Sequence, residues 1–275
     1  MTGKRSIDGD NVIYHYFRDE FIGKETERDR LLIRRMLHDL AIWLPIRLYQ
    51  TVPVLLPFVI RDPSCRKSVN KKCEEWGSCD SNGFFRDDNT LVKAIPRRFT
   101  IMSGNRIYSR RRMAKGFVAS HVWRRLPDKS GLASRNSMTN TFVPNLVWLP
   151  RQLSKLTDRE GSFAQKYLQA LSVSIFKDAE LAGAKSKLVG TIWKMLEPPS
   201  VKIDENEKEE LNFFDMSQRD IQKSLSDLLA KLDIIRNPSG GKVYCSRYLK
   251  TFANLSQEKR ALLTSKLSRY VQMIT

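Results

Sequence analysis

Four stretches of the chain place apolar residues at helical spacing beside residues that begin or end helices. The first covers residues 25–44 and ends at Pro45. The other three begin at serines that can cap a helix, namely Ser162, Ser217 and Ser256. Apolar residues follow each serine at intervals of three or four. The pattern predicts one amphipathic helix near the N-terminus and a helical C-terminal third.

Two short runs in the middle of the chain are typical of β-strands. They are KGFVASHVW at residues 115–123 and TFVPNLVWL at residues 141–149, and the residues between them are typical of a loop. Together with the helices, these runs predict an α+β protein. Residues 61–90 are polar and punctuated by Pro and Gly, which predicts a connecting loop.

The apolar stretch at residues 42–60 is long enough to cross a bilayer. Arg47 and three prolines, at positions 45, 53 and 57, interrupt it. Repeated prolines break a spanning helix and a mid-span Arg is costly. The sequence therefore predicts a buried, partly extended core segment and no contact with a membrane.

Positive charge is concentrated in one part of the chain. Residues 89–157 hold 14 Lys and Arg but a single acid, Asp128, so they carry +13 of the total +18. A surplus focused in this way is typical of a surface that binds phosphates. We expect three regions: an N-terminal helical and loop region at 1–88, a basic core at 89–161 and a helical region at 162–275 with a possible role in DNA recognition.

The cysteines and the N-terminal residues give an expectation for the cellular compartment of the protein. Lys4, Arg5, Asp8 and Asp10 interrupt any apolar run, so we expect no secretory signal, a cytoplasmic location and free thiols. Cys65, Cys73 and Cys79 are separated by seven and five residues, which matches no familiar zinc spacing. Small buried thiols are favoured over a structural zinc site.

Inside the basic region, the sequence ASHVWRR is followed about twenty residues later by FVPNLVWLPRQLSKLTD. The order strand, loop, strand, short helix across residues 113–160 resembles the HNH, or ββα-metal, nuclease motif. The resemblance covers about 45 residues. It implies a ββα-metal nuclease core embedded in a largely helical protein.

The resemblance implies the two candidate catalytic residues. His121 takes the place of the general base at the end of the first strand. Asn145 takes the place of the Asn that supports the motif from across the hairpin. An imidazole that titrates near neutral pH is well suited to activating water for phosphodiester hydrolysis. The other two histidines, His15 and His38, are interpreted as structural.

The metal ligands depart from the family pattern. Ser120 stands where the family has a metal-binding Asp, and Ser154 stands where it has a His or Asn on the helix. The resemblance implies Mg²⁺ or another divalent cation as cofactor. Asp158, one helical turn after Ser154, is the favoured source of the missing carboxylate, and Asp128 is the alternative.

The remaining basic residues are candidate phosphate contacts, since most protein–DNA hydrogen bonds go to the backbone. Arg110, Arg111 and Arg112 precede the first strand. Arg124 and Arg125 follow the candidate base, and Lys155 lies on the short helix. Lys155 could equally lie on a solvated helix face.

The resemblance implies a site-specific, metal-dependent endonuclease for double-stranded DNA, like type II restriction enzymes of this family. It further implies a homodimer on a palindromic site and a cognate DNA methyltransferase that protects the host. The sequence contains no Gly-rich phosphate-binding loop, so we expect no dependence on ATP. One alternative is a PD-(D/E)xK nuclease, which the sequence disfavours because no D/E-x-K triplet lies on a β-prone run. The other is a non-catalytic nucleic-acid-binding protein that uses the basic region alone.

Overall fold

The computed structural model describes residues 8–57, 59–61, 85–87, 90–127, 131–236 and 256–275. These residues form eight α-helices. Their bounds are α1 Gly9–His15, α2 Glu27–Leu40, α3 Ile46–Thr51, α4 Thr90–Ala94, α5 Phe163–Phe176, α6 Gly183–Lys194, α7 Gln218–Arg236 and α8 Gln257–Ile274. A π-helical segment, Tyr16–Phe21, continues α1.

Seven β-strands lie in the same residues: β1 Ile42–Trp43, β2 Val59–Arg61, β3 Phe85–Asp87, β4 Ile101–Met102, β5 Phe117–His121, β6 Leu146–Pro150 and β7 Asn212–Phe214. Five of them form a mixed sheet in the order β4-β7-β1-β6-β5, and β2 pairs with β3. The predicted α+β class is therefore confirmed. The strands of the sheet come from all three regions distinguished in the sequence.

The two predicted β-prone runs form the antiparallel pair β5 and β6 at one end of the sheet. The register places Ala119 opposite Trp148 and His121 opposite Leu146. Gly116, with φ +93, precedes β5 in a left-handed conformation that favours glycine. After β6 the predicted short helix is a 3₁₀ helix, Leu153–Thr157.

The core lies between the sheet and the helices that cover it. Trp43 and Trp148 are fully buried on the central strands, and their rings meet those of Phe176 and Phe214 at 6.3 and 5.3 Å between centroids. Edge-to-face aromatic pairs of this kind add to the stabilisation from buried apolar area. This packing anchors β6 in the core, and β6 pairs with β5 along its length.

Helix caps explain where the predicted helices begin. Thr26 and Asp29 form a reciprocal capping box at the start of α2, and Ser162 accepts a hydrogen bond from the Gln165 amide at the start of α5. Most of the described residues in the apolar stretch 42–60 are buried, and β1 and β2 are extended, as predicted, whereas α3 is helical. Among the described residues, no helix combines the length and the apolar character needed to cross a membrane.

Candidate functional site

A cleft of about 630 Å³ runs along β5 and contains His121. Residues 116–121 line it together with side chains from the 3₁₀ helix after β6 and Tyr14 of α1. Among the described residues, its lining includes one carboxylate, Asp158, and five basic side chains: Arg61, Lys93, Arg124, Arg151 and Lys155. Basic side chains therefore outnumber carboxylates in the described lining, which suits a phosphate-binding site.

The ring of His121 is half-buried and held on one side by Asn140. The Nε2 atom of His121 lies 2.9 Å from the backbone oxygen of Asn140 and 3.0 Å from its side-chain Oδ1. Both neighbours are oxygen atoms, which only accept hydrogen bonds. The Nε2 atom must therefore carry the proton of the neutral ring.

A third hydrogen bond fixes the orientation of the Asn140 amide. Its Nδ2 donates to the backbone oxygen of Val59 at 2.9 Å, so the Oδ1 atom is the one that faces His121. The tautomer of His121 is thereby determined by the network. The Nδ1 atom retains its lone pair, which is the arrangement that a general base needs.

The charge state of His121 follows from its surroundings. Burial is the main cause that lowers its pKa, and the charges of Arg61 and Arg124 lower it further, while the hydrogen bonds with Asn140 partly oppose the shift. The resulting pKa is about 4, against an ordinary value of 6.5. The ring is therefore neutral at pH 7 and able to accept a proton.

Asn145 is fully buried and does not line the cleft. Its Oδ1 accepts a hydrogen bond from the Trp123 amide at 2.7 Å, and its Nδ2 donates to the Thr139 carbonyl at 2.8 Å. Its backbone oxygen also accepts from the Val122 amide. Asn145 therefore joins the two ends of the loop between β5 and β6, and it acts on His121 through the backbone.

The residues predicted to bind metal do not form a closed metal site. The Ser154 hydroxyl donates to the Arg151 carbonyl at 2.8 Å, so it closes a turn of the 3₁₀ helix. Asp158 is exposed and lies 3.7 Å from the Lys155 ammonium. Ser120 lines the cleft with Asp158. Within the described ranges, no three His, Cys, Asp or Glu side chains cluster as metal ligands would.

Two of the predicted phosphate contacts lie at the cleft. Arg124 lines it, and its Nη1 atom is buried without a hydrogen-bond partner in the part of the chain that the structure describes. Lys155 also lines it, with its Nζ atom 5.4 Å from the centre of the Tyr14 ring. A buried guanidinium nitrogen without a partner is costly. A phosphate oxygen in the cleft would satisfy it.

The other predicted arginines lie elsewhere on the surface. Arg125 borders a neighbouring depression that shares Arg124 and Lys155 with the cleft. The run Arg110, Arg111 and Arg112 is exposed in the segment between β4 and β5 and does not line the cleft.

Sequence reasoning missed several residues of the site. Asn140, which orients His121, lies in a loop with no periodic pattern. Tyr14, Arg61 and Lys93 come from distant parts of the chain. Arg151 lines the cleft and pairs with Asp10 at 2.7 Å. Of these, Lys93 and Arg151 carried a sequence signal, because both lie in the basic region 89–157.

Some predictions lie outside the described residues: Asp128, the alternative carboxylate, and the cysteines Cys65, Cys73 and Cys79. No family model, no characterised protein and no solved structure is detectably similar to this chain.

Proposed function

We propose that this protein is an endonuclease that hydrolyses phosphodiester bonds in double-stranded DNA, with His121 as the general base. One observation carries the proposal: the hydrogen bonds that His121 Nε2 donates to Asn140 leave the lone pair of Nδ1 on a neutral imidazole, in a cleft lined by basic side chains. The tautomer, the charge and the surroundings all suit the activation of water beside a bound phosphate.

The reaction proceeds by attack of water on phosphorus. The Nδ1 atom of His121 takes a proton from the water, whose oxygen forms a new bond to phosphorus. The bond from phosphorus to the leaving 3′-oxygen breaks, and that oxygen takes up a proton from solvent. The imidazolium then releases its proton and the enzyme is restored.

Arg124 and Lys155 supply charge to the transition state. The phosphorane-like transition state carries more negative charge on its oxygens than the bound diester does. The Nη1 atom of Arg124 is buried and without a partner in the described structure, so it is a preorganised donor for one of those oxygens. Burial is the main cause of the low pKa of His121, and bound phosphate would offset only the further lowering by Arg61 and Arg124, so substrate raises that pKa.

The family resemblance adds Mg²⁺ as a cofactor. Asp158 and Ser120 would supply hard oxygen ligands of the kind that Mg²⁺ prefers. Because these are only two groups, water and the substrate phosphate would have to supply the remaining ligands. When bound, the ion offsets charge on the transition state and on the leaving oxygen. Site specificity, a homodimer and a partner methyltransferase belong to the proposal through the resemblance alone.

A non-catalytic DNA-binding protein is the second candidate. One observation favours it, namely the low pKa of His121, which makes the ring a weak base in the absence of DNA. Both candidates should lose DNA affinity steeply with salt, at a slope of about −0.9 per phosphate contacted. Salt dependence therefore does not separate them, and strand cleavage does.

The experiment is to incubate the purified protein with phage DNA in Mg²⁺ or in EDTA. Discrete bands in Mg²⁺ alone support a site-specific, metal-dependent enzyme. A smear supports hydrolysis without sequence specificity. DNA that stays intact under both conditions while the protein binds it contradicts the proposal and favours the DNA-binding protein.

A further inference from the structure

The segment between β4 and β5 forms a second basic surface outside the cleft. Residues 103–116, here named the basic loop, contain no acid and five exposed cations: Arg106, Arg110, Arg111, Arg112 and Lys115. Among the ion pairs between described residues, none involves these five side chains. A cationic surface of this kind suits the phosphates of a nucleic acid.

Apolar side chains project from this cationic surface. Ile107 is 61% exposed, and Met102, the last residue of β4 before the loop, is 60% exposed. Single exposed apolar residues are common on proteins. An isoleucine among unpaired arginines is a more specific combination, because it resembles the apolar wedges with which DNA-binding proteins separate base steps in the minor groove.

The loop is held in place by its own polar residues. The Oδ1 atom of Asn105 accepts a hydrogen bond from the Ile107 amide at 2.9 Å. Tyr108 is 5% exposed, and its hydroxyl donates to the Leu40 carbonyl at 3.2 Å. Ser103 donates to the side chain of Asn212 on β7. Ile107 is therefore presented on a fixed support, which lowers the ordering cost of inserting it into a partner.

The basic loop connects directly to the cleft. It ends at Gly116, which lines the cleft, and the Tyr108 ring lies 6.1 Å from that of Phe117 at the start of β5. His121 lies at the other end of β5. The strand spans roughly 13 Å, at about 3.3 Å for each residue.

We infer that the basic loop binds the minor groove of duplex DNA and inserts Ile107 between base pairs, on the same duplex whose scissile bond lies at His121. This inference rests on the proposed function for its partner, duplex DNA. The arginines neutralise phosphates on either side of the groove. The isoleucine unstacks one base step and kinks the duplex towards its major groove.

The test uses binding and bending of DNA without cleavage, so that it does not depend on hydrolysis. The probe is a 30-base-pair A·T-rich duplex with a fluorophore at each end and 2-aminopurine at several internal steps. All proteins carry His121→Ala. Energy transfer between the ends reports bending, 2-aminopurine fluorescence reports unstacking, and anisotropy reports affinity.

The expected result is that the His121→Ala protein increases both energy transfer and 2-aminopurine fluorescence. Adding Ile107→Ala abolishes most of both signals while affinity falls by less than about tenfold, and Ile107→Met restores them. The control is Leu31→Ala, since Leu31 is 64% exposed on α2 and equally apolar, and this variant should behave like its parent.

Two results overturn the inference. The first is that bending and unstacking stay unchanged when Ile107→Ala is added, or that the His121→Ala parent binds DNA tightly without bending or unstacking it. The second is binding of the parent to anionic phospholipid vesicles that Ile107→Ala abolishes, with no effect on DNA, because the loop would then be a membrane contact. Intact phage DNA with normal bending would refute the proposed hydrolysis and leave this inference standing.

Discussion

Asn140 holds the imidazole of His121 through two oxygen atoms, its backbone carbonyl at 2.9 Å and its side-chain Oδ1 at 3.0 Å from Nε2. The same Asn140 is almost fully buried and anchored to β2 through the carbonyl of Val59. The orientation of the proposed base is thus set from the loop between β5 and β6, which Asn145 closes.

Changing Asn140 should therefore change both rate and pH dependence. We expect Asn140→Ala to lower kcat by roughly 10- to 100-fold with little change in KM, because the ring loses one of its orienting contacts. Asn140→Asp should shift the acid limb of the kcat/KM profile to higher pH, because a carboxylate beside the ring raises the pKa of His121. A profile identical to wild type in Asn140→Asp would show that this contact does not act on the base.

The lowered pKa of His121 predicts how stability depends on pH. The folded protein holds this ring with a pKa of about 4, whereas the unfolded chain has the ordinary value of 6.5. The unfolded state therefore binds the extra proton between these values, so the contribution to stability is present above pH 6.5 and is lost as pH falls towards 4.

Urea denaturation between pH 5 and 7.5 measures this effect. The slope due to one proton is at most about 1.4 kcal/mol per pH unit. The free energy of unfolding of wild type minus that of His121→Gln should therefore increase from pH 5 to pH 7.5. A difference that stays constant with pH would mean that His121 titrates alike in both states.

Asn145 should matter for folding more than for chemistry. We expect Asn145→Ala to destabilise the protein by about 2–4 kcal/mol, because the Trp123 amide and the Thr139 carbonyl lose buried partners. Thermal unfolding measures this, with Gln222→Ala on the exposed face of α7 as the matched control. A melting temperature close to that of the control would contradict the assigned role.

Asp158 should set the metal requirement. Asp158→Ala is expected to raise the Mg²⁺ concentration for half-maximal cleavage by about tenfold, because the cleft loses a hard oxygen ligand. EDTA should abolish cleavage by the wild type. Asp178→Ala, which removes an exposed carboxylate outside the cleft, is the control. An unchanged Mg²⁺ requirement in Asp158→Ala would point to Asp128 instead.

The parts of the fold that sequence could predict are those with local signals. The helices that begin after Ser162, Ser217 and Ser256 have both a capping residue and periodic apolar positions, and all three form. Helix α6 was missed because Ala182 offers no capping side chain before it. Strand β7 was missed because it has three residues and depends on pairing with the distant β1.

The candidate site likewise contains some residues that the sequence could predict and others that it could not. His121 and Asn145 lie on or beside strands with a recognisable pattern, and the structure joins them through the Val122 and Trp123 amides. Asn140 could not be predicted, because its role depends on where a 24-residue connection folds back onto β5. Tyr14 and Arg61 reach the cleft through tertiary packing alone.

The central claim is tested most directly by comparing strand cleavage in three proteins matched for DNA binding: wild type, His121→Ala and His38→Ala. His38 lies on α2, bonded to the Glu209 carbonyl and outside the cleft. The account predicts that His121→Ala keeps its DNA affinity but loses roughly 10²- to 10⁴-fold in cleavage rate, while His38→Ala cleaves like wild type. Cleavage by His121→Ala at the wild-type rate would contradict the account.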